Sequence, residues 1–119
     1  MNSKELMEKI VKYMDSKKAV DIKVLDISTV TTMADYFVIC QGGSAPQMKA
    51  ISEEIEEKLA EQGIDPIGRE GMNTSYWILM DYSEVIVHIF NNESRAFYSI
   101  ENLWGDAQEV DISAILTEE

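Results

Sequence analysis

Cysteine occurs once in this chain, at Cys40, so no internal disulfide can close and no cysteine-based metal site can be assembled. A reducing, cytoplasmic setting is the compartment expected for such a chain. Histidine is as scarce, with His88 alone. Basic residues are few: 10 Lys and Arg stand against 22 Asp and Glu, and the net charge of -12 repels nucleic acid and anionic membrane alike. Direct DNA binding and a membrane partner are therefore not expected. The same field favours a basic macromolecular partner, while its plainer role is to keep a small protein soluble. No apolar run approaches the roughly 20 residues that cross a bilayer. The N-terminal stretch MNSKELMEKIVKYMD scatters charges of both signs through its apolar positions, so no secretion signal is expected either.

What is present is ordinary globular composition, 45% hydrophobic and 27% charged, which argues against disorder. With 119 residues there is enough chain for one core and too little for two comfortable ones, so residues 1–119 are expected to form a single domain. Leu6, Met7, Ile10, Val11 and Met14 recur at helical spacing, capped by Asn2 or Ser3. Val20, Ile22 and Val24 alternate with Asp21 and Lys23, and Leu25 and Ile27 continue in the opposite phase, which predicts a bulged strand. YFVIC at 36–40 is apolar at every position and predicts a central strand covered on both faces, close enough in sequence to pair with its predecessor.

Pro46 in a first turn opens a helix with the stripe Met48, Ile51, Ile55 and Leu59, closed by Gly63. Residues 64–74 read as a loop with a short edge strand near 67–70. Residues 76–80 and 85–90 flank Asp81-Tyr82-Ser83-Glu84 as a hairpin. Asn91 or Asn92 would then cap a third helix carrying Phe97, Ile100, Leu103 and Trp104 and ended by Gly105. The stretch through Val110 and Ile112 is open between a short strand and a loose turn. Hairpins give antiparallel neighbours and helical crossovers parallel ones, so the order predicts an α/β (α+β) fold: one mixed sheet of about five strands flanked by helices.

Several features invite a chemical reading. Gly42-Gly43-Ser44 sits between a strand and a helix, where free N–H groups and the positive dipole end suit a phosphate. The Walker and dinucleotide spacings are both missing. The turn resembles the glycine–serine turn of nucleotidyltransferases, enzymes of a similar mixed-sheet build that also place carboxylates on following strands to hold magnesium. Here those strands read WILM and VIVHIF, without an alternating acid pair to converge on the ion. A turn-and-cap role is the better fit, and a nucleotide-binding or nucleotidyltransferase-like activity at Gly42-Gly43-Ser44 is kept as the alternative. His88 has no marked nucleophile beside it and fits a structural histidine, Cys40 a small buried hydrophobe. Glu53, Glu54, Glu56, Glu57 and Glu61 read as a solvated helix face, and Asp65, Glu70, Asp81 and Glu84 lack metal-ligand spacing. No catalytic residue, cofactor site or metal site is assigned. In the hairpin, Trp77 and Leu79 share one face and Tyr76, Ile78 and Met80 the other, with Tyr82 at the turn. One face must pack on a helix; the other is either covered too or left as an apolar patch with Asp81 and Glu84 at its edge, as an interface for a basic partner would be.

ADYFVICQGGSAPQMKAISEEIEEKL, then GREG, then YWILMDYSEVIVHIFNNESRAFYSIENLWGDA together resemble the ribosome silencing factor family, also called the Iojap or oligomerisation-domain family. The likeness spans about residues 4–112 and leaves 113–119 as a tail. It implies a fold like that of nucleotidyltransferases without their activity, so no enzyme is expected. It further implies binding to large-subunit ribosomal protein fourteen, a block on joining of the large and small subunits, and repression of translation when nutrients are scarce. A homodimer of the free protein is implied as well. Residue by residue, Trp77 falls at the family's interface tryptophan, with Asp81 and Tyr82 at neighbouring turn positions. Trp77 is then the expected aromatic anchor, and Asp81, with Glu70 or Glu84, the expected partner of basic side chains.

Overall fold

A computed structural model describes residues 1–72, 76–92 and 107–116. The predicted third helix, with Phe97, Ile100, Leu103, Trp104 and Gly105, lies outside the described residues.

Helix α1 (Ser3–Ser16) buries the expected stripe of Leu6, Met7, Ile10, Val11 and Met14, and the Asn2 side chain accepts from Glu5 N–H to cap it. Helix α2 (Ala45–Ala60) buries Met48, Ile51, Ile55 and Leu59 together with Ser52, whose hydroxyl is satisfied by the Lys49 carbonyl at 2.8 Å. Past its end, Gly63 takes the left-handed conformation (φ 79°), and Ile64 N–H bonds back to the Leu59 carbonyl.

The strands are β1 (Val20–Asp26), β2 (Tyr36–Gln41), β3 (Gly68–Glu70), β4 (Trp77–Asp81), β5 (Val85–Phe90) and β6 (Gln108–Glu109). They form one mixed sheet in the order β3-β4-β5-β2-β1-β6. The β2–β5 pair is parallel and the other four pairs are antiparallel. β2 and β5 hold the centre, which is why their sequences are apolar at nearly every position: Phe37 through Cys40 and Val85 through Phe90 are all buried. The expected edge strand is present as β3, and the undecided tail adds β6, two residues long, so the sheet has six strands where about five were expected.

β1 carries the expected irregularity, but in a different place. The register slips between Val20 and Lys23, with Asp21 at φ 51°, whereas Lys23 through Asp26 pair regularly with β2. The phase change from Val24 to Leu25 is therefore no bulge. Val24 packs toward α1 and α2, while Leu25 and Ile27 belong to a second cluster on the opposite face, so apolar residues are wanted on both sides of the strand.

That second cluster matters for the site. α1 and α2 pack on one face of the sheet with Val38, Cys40, Ile78, Met80, Val85, Val87 and Ile89. The other face gathers Leu25, Ile27, Phe37, Ile39, Ile86 and Phe90, with partly buried Trp77 and Leu79 against them. Cys40 is fully buried on the helix side, as a small hydrophobe would be.

Candidate functional site on the aromatic sheet face

In the β4–β5 ladder Trp77 stands opposite Phe90 and Leu79 opposite His88. Side chains on one face of a strand recur every second residue, so Trp77, Leu79 and Asp81 of β4 meet Ile86, His88 and Phe90 of β5 on the face away from α1 and α2. The Trp77 and Phe90 rings are stacked with centroids 5.2 Å apart, and the Phe37 ring meets His88 edge-on at 4.8 Å. Trp77 and His88 are diagonal neighbours across the ladder, within reach for side chains of this length. The Trp77 indole Nε1–H donates to His88 Nδ1 at 3.2 Å. His88 is buried, and burial pushes its imidazole down to about 4, so it is neutral at pH 7.

Beside this cluster lies a cavity of about 250 Å³ lined by Glu70, Gly71, Tyr76, Trp77 and Leu79. β3 brings Glu70 there, because it pairs with Leu79 and so shares its face. Tyr76 lines the same cavity: it lies just before the strand, is exposed, and is not held to the alternation that assigned it to the opposite face with Ile78 and Met80. Two of the expected site residues, Glu70 and Trp77, are thus brought together.

The others are arranged differently. Asp81 shares the Trp77 face but sits four residues along the strand, roughly 13 Å away at the usual strand rise. Its carboxylate accepts from Ser83 N–H at 2.7 Å and so shapes the hairpin turn, where Ser83 has φ 73°. Glu84 is exposed in that turn. Tyr82 is placed on the opposite side: it is 6% exposed, packs into the helix-side cluster, and presents no surface with Trp77. The reason is parity, since Ile78, Met80 and Tyr82 all point toward the helices. Burial pushes the Tyr82 phenol well above its ordinary pKa, and its hydroxyl has no hydrogen-bond partner among the described residues.

The family model described as "Ribosomal silencing factor during starvation" matches residues 1–119. The chain belongs to the ribosomal silencing factor family. A protein of Bacillus subtilis named ribosomal silencing factor RsfS is 39% identical over 112 residues, 94% of this chain and 95% of its own length. One of Halalkalibacterium halodurans with the same name is 37% identical over 117 residues, 98% of this chain and 100% of its own. A crystal structure from Chromobacterium violaceum superposes with a TM-score of 0.86 at 32% identity, covering 95% of this chain and 93% of that one.

In this ribosomal silencing factor family member the glycine turn is filled from within. Gly43 N–H donates to Gln47 Oε1 at 2.6 Å, Gln47 N–H to Ser44 Oγ at 3.2 Å, and Met48 N–H to the Ser44 carbonyl at 3.0 Å. Ser44 is the helix cap, and the Gln47 side chain occupies the mouth that a phosphate would need. Gly42 is glycine for space: a Cβ there would stand 2.7 Å from Met48 Cγ and 3.1 Å from Met48 N. Among the described residues no three His, Cys, Asp or Glu side chains converge to hold a metal ion, and no helix is long and apolar enough to cross a membrane.

Sequence reasoning placed Trp77 and Leu79 on one face but missed what His88 does there. The signal was available. A hairpin turning at residues 82–84 sets β5 opposite β4 so that Ile86, His88 and Phe90 share the Trp77 face, and an imidazole is the one side chain among them able to accept an indole proton.

Proposed function

We propose that the protein docks the Trp77 groove on large-subunit ribosomal protein fourteen in the cytoplasm, blocks joining of the small subunit by steric exclusion, and so represses translation when nutrients are limiting. It does this without turnover or cofactor. The observation that carries the reading is the groove itself: a partly buried indole, flanked by Tyr76 and Leu79 and edged by Glu70, on a chain of net charge -12. An aromatic anchor in an apolar groove with acidic neighbours fits a basic protein surface, and the overall field would steer the encounter. Asp81 and Glu84, farther along the hairpin, extend the acidic edge toward basic side chains of the partner. Tyr82, buried in the helix-side cluster, has no part in the contact. The names carried by the relatives agree with a ribosomal site of action.

The test is co-sedimentation of Trp77→Glu with purified large subunits. Loss of a hot-spot anchor costs about 2 kcal/mol or more, or roughly 30-fold in affinity. A folded Trp77→Glu variant that pellets with large subunits as well as the unaltered protein would overturn the assignment. Self-association of the free protein through the same face should compete with subunit binding, which light scattering on the same samples would reveal.

A further inference from the structure

We propose that His88 is a positioning residue that fixes the Trp77 indole, and with it the geometry of the docking groove. The consequence for binding rests on the docking role proposed above; the hold on Trp77 does not.

The indole Nε1–H donates to His88 Nδ1 at 3.2 Å. A neutral imidazole has one donor nitrogen and one acceptor, so with Nδ1 accepting, the proton sits on Nε2. That Nε2 is buried and has no hydrogen-bond partner among the described residues. His88 itself is only 4% exposed. A leucine or phenylalanine would fill this apolar site and leave no buried donor unsatisfied, so packing alone does not account for an imidazole here. The acceptor it offers Trp77 does.

The ring that supplies the acceptor is itself held. Phe37 meets it edge-on at 74°, and the Phe90 ring lies parallel to it within 4° at 6.1 Å. Trp77 also stacks on Phe90. The indole is therefore fixed at its face by Phe90 and at its polar edge by His88, although it is only partly buried. An anchor already in its bound rotamer loses less side-chain freedom on docking, and the polar contact also decides which edge of the indole is left to the partner. His88 need not touch the partner to act in this way.

The test begins with the free, full-length protein by nitrogen-15 magnetic resonance at pH 7. The Trp77 indole signal is assigned by its loss in Trp77→Phe. We expect the Nε2–H tautomer of His88 and slow solvent exchange of the Trp77 indole proton. His88→Leu removes the acceptor, while His88→Asn keeps an oxygen near the place of Nδ1. In His88→Leu, indole exchange should quicken and large-subunit binding should weaken by roughly fivefold, the equivalent of one hydrogen bond. In His88→Asn both should stay within about twofold of the unaltered protein. An Nδ1–H tautomer in the unaltered protein would overturn the proposal, as would unchanged exchange in a folded His88→Leu or an Asn variant no better than Leu. Should His88→Leu fail to fold, the tautomer and His88→Asn still decide. If Trp77→Phe and Trp77→Glu both bind large subunits normally, the docking role falls, whereas the tautomer and exchange results continue to judge the hold on Trp77.

Discussion

The backbone N–H of Gly43 donates to Gln47 Oε1 at 2.6 Å, which puts a side chain of α2 at the helix mouth where an anion would otherwise bind. The Gln47 side chain also reaches back to the residues that follow α1, its Nε2 donating to the Lys18 carbonyl at 3.0 Å and the Lys17 carbonyl at 3.3 Å. Gln47 thus closes the turn that precedes one helix and ties it to the end of another. Gln47→Ala should lower stability by about 1–2 kcal/mol in urea unfolding. No magnesium-dependent thermal shift with a nucleoside triphosphate is expected from the unaltered protein, and a shift would revive nucleotide binding at this turn.

Gly42 tests the same turn by volume. A methyl group at this position meets Met48 side chain and backbone at once, and the backbone cannot swing aside. Gly42→Ala should cost about 1–3 kcal/mol, read as a lower urea midpoint with an unchanged slope.

Acid should weaken the fold through His88. Its folded pKa of about 4 lies below the ordinary 6.5 because burial disfavours the imidazolium. Between those values the unfolded chain binds the proton and the folded one does not. The neutral imidazole's contribution is therefore complete above about pH 6.5, is lost as the pH falls toward 4, and amounts to about 3 kcal/mol over that window. His88→Asn should show a flatter stability profile between pH 6.5 and 4 than the unaltered protein; parallel profiles would contradict this.

Tyr82 supplies a control for the interface. Its hydroxyl is buried without a partner among the described residues, so Tyr82→Phe should be neutral or stabilising by up to about 1 kcal/mol. Large-subunit binding should not change, because the ring packs in the helix-side cluster and not in the Trp77 groove.

How far the sequence could be read follows from how local each signal is. The stripes of α1 and α2, the apolar run of β2 and the alternation of β4 are short-range patterns, and the corresponding elements stand where they were expected. β6 has no such pattern: Gln108 and Glu109 are both exposed, and they form a strand only because the edge of β1 offers Leu25 and Asp26 as partners. The β1 bulge was misplaced because opposite-phase apolar residues arise equally from a slip or from a strand covered on both faces. Tyr82 is expected at the turn beside the Trp77 site, yet strand parity carries its side chain to the helix face. The Trp77–His88 bond depends on cross-strand register, which the hairpin implies but single-residue types do not announce.

In the proposed mechanism the Trp77 groove keeps the ribosomal subunits apart. The direct measurement is a sucrose gradient of purified large and small subunits mixed at a magnesium concentration that favours joining, with the protein, with Trp77→Glu, or with neither. We expect the unaltered protein to hold the subunits as separate peaks and Trp77→Glu to let the joined ribosome form. Joined ribosomes in equal amount with and without the unaltered protein would overturn the proposed block on subunit joining.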